Sequence, residues 1–172
     1  HIPPGVWNRA VAPDGGRIRL SGTTSRLVLR VQTTAAPAKP CFIDTYIDRE
    51  YVGSARVQGT QTTDLVLFAG RGRAHKDVTL YLPNNHEIRV LSVGVDADAR
   101  LKPPPAFALK SPVVCYGSSV LQGTGANHPS KTYPAVLARR LNLDFVNLGF
   151  GGAGKAEPAV VELVNQPDAC AY

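Results

Sequence analysis

Methionine is absent from the 172 residues, tryptophan occurs once, and charged residues make up only 19% of the chain. With 44% hydrophobic residues, this is the composition of an ordinary globular protein, and it excludes intrinsic disorder and collagen-like repeats. No apolar run approaches the roughly 18 residues that a membrane-spanning helix needs, and residues 65–70 are typical of the longest stretches. The opening His1-Ile2-Pro3-Pro4-Gly5-Val6-Trp7 lacks the basic, then apolar, then small-residue order of a secretory signal. A missing methionine, at position 1 as elsewhere, is what a processed or trimmed N-terminus would leave. Both a bacterial secreted and a cytoplasmic location therefore stay open. Cysteine is scarce too. Cys41, Cys115 and Cys170 cannot all pair with one another, and no two Cys or His residues stand at a metal-ligand spacing, so no metal is expected. Cys115 and Cys170 fall in apolar strand-like runs, where a buried free thiol acts as a small hydrophobe.

The net charge of +6 raises the question of a nucleic-acid partner. The excess is spread evenly, +4 over residues 1–100 and +2 over residues 101–172. Its one concentration, Arg71-Gly72-Arg73-Ala74-His75-Lys76, sits between strand-like runs and reads as a solvated hairpin tip. A nucleic-acid stripe would interleave more basic residues with aromatics, so no nucleic-acid partner is expected.

What is present divides into two periodicities. From about residue 17 to 95 the chain reads as short strands: 26–32, with Leu27, Leu29 and Val31 on one face; 41–47 and 51–57 flanking a polar Asp48-Arg49-Glu50 turn; then 63–68, 76–82 and 86–95. Short strands at roughly 8–12-residue intervals, with no helical period, predict an antiparallel β-sandwich over residues 1–102. A stiff Pro103-Pro104-Pro105 stretch opens a linker over 103–111. Beyond it the pattern predicts strand 112–116, helix 132–141, strand 144–148, helix 157–165 and a third strand beginning at Asp168. Tyr133, Val136, Leu137 and Leu141 line one face of the first helix, and Ala156, Val160, Leu163 and Val164 one face of the second, with Pro167 beyond its end. Strand–helix–strand–helix–strand with short loops is the opening of a parallel α/β sheet, here residues 112–172.

Two loops follow the C-terminal ends of the parallel strands, where open α/β sheets place their sites. In the second, Gly149-x4-Gly154-Lys155 matches a phosphate-binding loop except that Ala156 stands where a Mg²⁺-ligating hydroxyl belongs, and Gly149-x-Gly151-x-x-Gly154 also satisfies the dinucleotide pattern. A nucleotide-binding protein using the Gly149–Lys155 loop is thus one reading. A tight strand-to-helix turn, needing positive φ and close backbone approach, is the plainer one.

Taken together, the loops point elsewhere. Gly117-Ser118-Ser119-x-x-Gln122-Gly123 resembles the first motif of the SGNH (GDSL-type) hydrolases, usually Gly-Asp-Ser. Asn147-Leu148-Gly149-Phe150-Gly151-Gly152 resembles their second motif, which ends in an oxyanion-donating glycine. Upstream, Pro4-Gly5-Val6-Trp7-Asn8 and Thr63-Asp64-Leu65-Val66-Leu67 look like the β-sandwich that precedes one branch of these hydrolases, whose Gly-x-Asp-Leu-Tyr motif keeps only Asp64-Leu65 here. The resemblance implies a flavodoxin-like α/β/α domain and a serine carboxyl-ester hydrolase acting through an acyl-enzyme. It makes Ser119 the nucleophile, and the backbone N–H groups of Ser119 and Gly152 the oxyanion donors. It implies a small ester or acylated carbohydrate as substrate, a short acyl group, and no cofactor. Ser118 for Asp and Gly151 for a common Ser remove no catalytic atom.

The family's third motif, which supplies an Asn, and its last, Asp-x-x-His, have no counterpart in the chain. The histidines are His1, His75, His86 and His128. His128 alone lies near the nucleophile loop, and it reads as an exposed loop residue rather than a base. A five-strand sheet needs well over a hundred residues, and only 61 follow Ser111. The expectation is therefore the N-terminal part of a longer esterase, its sheet completed by a further segment or a second chain. The competing class is a glycan-binding scaffold with a degenerate hydrolase portion.

Overall fold

A computed structural model describes residues 1–165 and 168–172. They form two compact units: residues 17–82 with 87–105, and residues 1–16 and 83–86 with 106–172. In chain order the elements are α1 (Pro4–Ala10), β1 (Arg17–Gly22), β2 (Leu27–Gln32), β3 (Cys41–Ile47), β4 (Glu50–Val57), β5 (Thr63–Phe68), β6 (Lys76–Tyr81), β7 (Arg89–Val95), β8 (Leu101–Lys102), β9 (Val113–Gly117), α2 (Ser119–Gln122), a 3-10 turn (Pro129–Lys131), α3 (Tyr133–Leu141), β10 (Phe145–Gly149) and α4 (Pro158–Val164).

The first unit holds two antiparallel sheets, ordered β4-β3-β6-β1-β8 and β5-β2-β7. Successive side chains of a strand point to opposite faces, so the alternation read in the sequence becomes burial. Leu27, Leu29 and Val31 of β2 share one core with Ile43 and Ile47 of β3 and Val78 and Leu80 of β6. On the exposed side Arg30 grips Asp64 across the β2–β5 ladder, Nε to Oδ1 at 2.7 Å and Nη2 to Oδ2 at 2.8 Å. The β3–β4 hairpin turns on Asp48 and Arg49, both at positive φ (51° and 72°), as a two-residue loop matching strand twist requires. Residues 71–76 are not a hairpin tip, because β5 and β6 lie in different sheets. Lys76 is buried there, its ammonium donating to the carbonyls of Gly72 and Ala74.

In the second unit β9 and β10 run parallel, from Val113 opposite Phe145 to Gly117 opposite Gly149. Where a third strand was expected, Ala171 makes a parallel bridge to Val113. The apolar stripe read on α3 is not the buried one. Tyr133, Leu137 and Leu141 are exposed, while Ala135 and Ala138 are buried, because small side chains let the helix lie close to β10. On α4 only Val160 is buried and Leu163 is exposed; Pro167 lies outside the described residues.

Residues 1–16 and 83–86, assigned by the linear boundary at 102 to the strand-rich half, cluster with the α/β residues. Pro3 and Pro4 start α1, and its Val6 is buried with Phe150 and Val160 in a small core of its own. Nor is 103–111 a free linker: Arg19 donates to the Pro105 carbonyl at 2.6 Å, and the Ala108 N–H to that of Asn142 at 2.8 Å. All three thiols are free. Burial pushes Cys41 up to about 11, whereas Cys170, expected inside, is exposed.

Candidate active site

Ser119 is the first residue of α2, separated from the end of β9 at Gly117 only by Ser118, the residue that caps the helix. The helix lasts four residues because Gly123, at φ 92°, turns the chain away, its N–H donating to the Ser119 carbonyl at 3.1 Å. This strand–turn–helix leaves Ser119 half-buried, and its hydroxyl and its N–H have no hydrogen-bond partner among the described residues.

The loop after β10 lies against this turn. An added Cβ on Gly151 would fall 3.5 Å from Ser119 Cβ. One on Gly149 would fall 2.7 Å from Gln122 Cα, and one on Gly154 would fall 2.8 Å from the Gly117 carbonyl carbon. Real Cβ atoms do not approach so closely, so the two glycines that suggested a phosphate loop are required by backbone packing between the loops.

The backbone donors of this loop are nearly all committed. Gly149 N–H donates to Asn147 Oδ1 (2.9 Å), Phe150 to the Gly117 carbonyl (2.9 Å), Gly151 to Gln122 Oε1 (2.7 Å), and Ala153 and Gly154 to the Phe150 carbonyl (2.9 and 2.8 Å). Lys155 N–H donates to Glu157 Oε2 (3.1 Å) and Ala156 N–H to the Tyr116 hydroxyl (2.7 Å). From 149 to 156 only the Gly152 N–H has no acceptor among the described residues. A phosphate cradle needs several convergent free N–H groups, and here the Glu157 carboxylate already occupies its far end. A single oxyanion needs only one donor from this loop. Gly152 is exposed at φ 76°, and a Cβ there would meet nothing within 4 Å.

Several residues without an assigned role support this geometry. Gln122, fully buried, accepts from Gly151 N–H and donates through Nε2 to Asp14 Oδ2 at 2.7 Å. Asp14 also accepts from Asn85 N–H at 2.7 Å. Burial raises the Asp14 carboxyl to about 6 against the lowering pull of those hydrogen bonds and of Arg9. Asn147 Nδ2 ties the loop to the Leu121 carbonyl at 2.8 Å. The Tyr116 hydroxyl donates to Glu157 at 2.7 Å, which holds that carboxyl below its ordinary range; burial, with Glu157 beside it, raises the Tyr116 phenol. Gln122 stands in the first motif as read, but its partner Asp14 is 108 positions away, and no periodicity carries such a signal.

The histidines supply no partner to Ser119. His128 is half-buried just before the 3-10 turn. In the other unit His75 Nε2 lies 2.9 Å from Ser21 Oγ beside Asp77, a grouping unlike a catalytic triad. Ser21 is fully buried and commits its proton to Asp77, and the carboxylate meets the imidazole at the same nitrogen as the serine. Among the described residues no three His, Cys, Asp or Glu side chains are grouped to hold a metal ion.

Residues 110–172 match the model of the GDSL-like lipase/acylhydrolase family. The chain is similar, at 30% identity and TM-score 0.82, to a GDSL-like lipase from Bacteroides ovatus, over 98% of this chain and 52% of that one. At 27% identity and TM-score 0.81 it is similar to a salicylyl-acyltransferase from a tetracycline biosynthetic pathway, over 94% of this chain and 47% of the other. It shares the fold, at 16% identity and TM-score 0.67, of a family two carbohydrate esterase from Clostridium thermocellum in complex with cellohexaose, over 86% and 50% respectively. The chain thus spans about half the length of these structures. No curated protein matches it.

Proposed function

From the match of residues 110–172 to the GDSL-like lipase/acylhydrolase family, we propose that the chain carries the nucleophile half of a serine carboxyl-ester hydrolase site. Ser119 Oγ attacks the ester carbonyl carbon, and its proton passes to a general base, since an unassisted hydroxyl is a poor nucleophile. The resemblance puts that base in the Asp-x-x-His motif, which has no counterpart in residues 1–172. As the new C–O bond forms, the carbonyl electron pair moves onto oxygen, where the N–H groups of Ser119 and Gly152 meet it. As the oxyanion pair re-forms the carbonyl, the bond to the leaving oxygen breaks, that oxygen takes the proton from the base and departs as the alcohol, and the acyl group stays on Ser119 until water or an acceptor hydroxyl releases it.

The observation that carries this reading is the donor inventory: the unclaimed N–H of Gly152 stands in a loop packed on Ser119, whose own N–H is also unclaimed. The two-sheet unit is read as an accessory β-sandwich, and the remainder as the first strands of a flavodoxin-like α/β/α hydrolase domain. For substrate we propose a small, short-acyl ester or an acylated carbohydrate. Support comes from fold likeness to carbohydrate esterases, including an acetyl xylan esterase from Butyrivibrio proteoclasticus. The likeness to an acyltransferase supports an acceptor other than water as the variable part. In the full-length natural protein, Ser119→Ala should lower turnover of p-nitrophenyl acetate by about a thousandfold or more. Unchanged hydrolysis would remove Ser119 from the chemistry.

A further inference from the structure

The Gly151–Gly152 peptide is held from outside the two loops. Arg9, on α1, donates through Nε to the Gly151 carbonyl at 3.1 Å. This is the carbonyl of the peptide bond whose nitrogen carries the Gly152 N–H. No peptide bond among the described residues is cis, so the Gly151 C=O and the Gly152 N–H lie in one peptide plane and point in opposite directions. Fixing the oxygen at Arg9 therefore fixes the direction of the N–H, away from Arg9. On its other side Gly151 is fixed by its own N–H to Gln122. Two glycines in succession would otherwise leave this plane free to rotate.

We propose that Arg9 is a positioning residue for the oxyanion hole, clamping the Gly151 carbonyl so that the Gly152 N–H is presented to the developing oxyanion. The proposal rests on the assignment of Gly152 as donor. It adds a residue 142 positions from Gly151, in a segment outside both hydrolase motifs. The anchorage of α1 supports it, because Val6 is buried against Phe150 and Val160 and an added Cβ on Gly5 would lie 3.4 Å from Ala153 Cβ. The arginine thus stands on an element already fastened to the same loop. A guanidinium on the carbonyl also draws electron density from the peptide, which makes its N–H a better donor to an anion. Preorganised donors act in the transition state and contribute little to ground-state binding.

The test is Arg9→Met, which keeps the stem and removes the donor, beside Arg9→Lys, which keeps a donor. In the full-length protein, Arg9→Met should lower kcat on p-nitrophenyl acetate by about tenfold, less than the loss of a whole oxyanion donor, with KM unchanged and Arg9→Lys recovering part of the loss. In the 172-residue chain the Gly152 amide nitrogen should move upfield in the Arg9→Met spectrum, as its carbonyl partner loses a hydrogen bond. An unchanged Gly152 resonance, or a kcat within twofold of the parent, overturns the clamp. If Ser119→Ala abolishes turnover while Arg9→Met leaves it intact, only the clamp fails. If Ser119→Ala leaves turnover intact, the esterase reading fails whatever Arg9 does.

Discussion

Asp14 is fixed by donor arithmetic. Gln122 has one oxygen and one NH₂ group; its oxygen is taken by Gly151 N–H, so its nitrogen must face an acceptor. Asn85 N–H arrives from the other side and needs an acceptor as well. Asp14 gives one oxygen to each, Oδ2 to Gln122 and Oδ1 to Asn85, yet burial raises its pKa to about 6. Between the ordinary value of 3.8 and about 6 the folded state holds a proton that the unfolded state has released. This group's contribution is therefore complete below pH 3.8 and is lost as pH rises through 6. The rise from 3.8 to about 6 corresponds to about 3 kcal/mol. Carboxyls held low, such as Asp64 and Asp96, act in the opposite sense, so the effect must be isolated. The stability difference between the parent and Asp14→Asn, from urea titrations, should shift against the parent between pH 4 and 7. A difference independent of pH would mean that Asp14 titrates normally.

At the scale of elements, legibility followed the range of the interaction. Strands β3 and β5 were readable to the residue because alternation is local, and the two loops because a strand end, glycines and a following helix are local too. The short α1 was not: seven residues opening on Pro4, with Pro3 as the cap before them, carry no amphipathic period, and the burial of Val6 depends on Phe150 and Val160. The exposed stripe on α3 shows the same limit, since periodicity identifies an apolar face but not what meets it. The loop glycines were legible as a pattern and misleading as a ligand motif, since packing and phosphate binding both require missing side chains. Their steric role can be measured. Gly154→Ala forces a Cβ onto the Gly117 carbonyl and should cost about 2–4 kcal/mol. Gly72→Ala, with open space around it, should change stability by less than about 0.5 kcal/mol. Equal effects in thermal melts would show that the loop gives way to the methyl group.

For the whole molecule, the question is which residues fold together. A boundary drawn along the sequence near 102 makes residues 1–16 part of the strand-rich half. The contacts make them part of the unit that contains Ser119. Val6 is one of three buried residues in the core it shares with Phe150 and Val160, and deleting a buried aliphatic side chain costs about 2–4 kcal/mol. Losing Asp14 would in addition leave the Gln122 amide and the Asn85 N–H without their shared acceptor. The strand-rich unit loses none of its own core, since Leu27, Leu29, Ile43, Val78 and Leu80 find their partners between residues 17 and 105. Deleting residues 1–16 should therefore speed amide exchange in residues 145–165 by an order of magnitude or more, since about 1.4 kcal/mol is tenfold in an opening equilibrium. Protection in β2, β3 and β6 should stay within about twofold of the parent. The linear boundary expects the reverse pattern, with the strands loosened and the loop at Gly152 untouched, so one exchange experiment on the truncated chain decides between the two divisions.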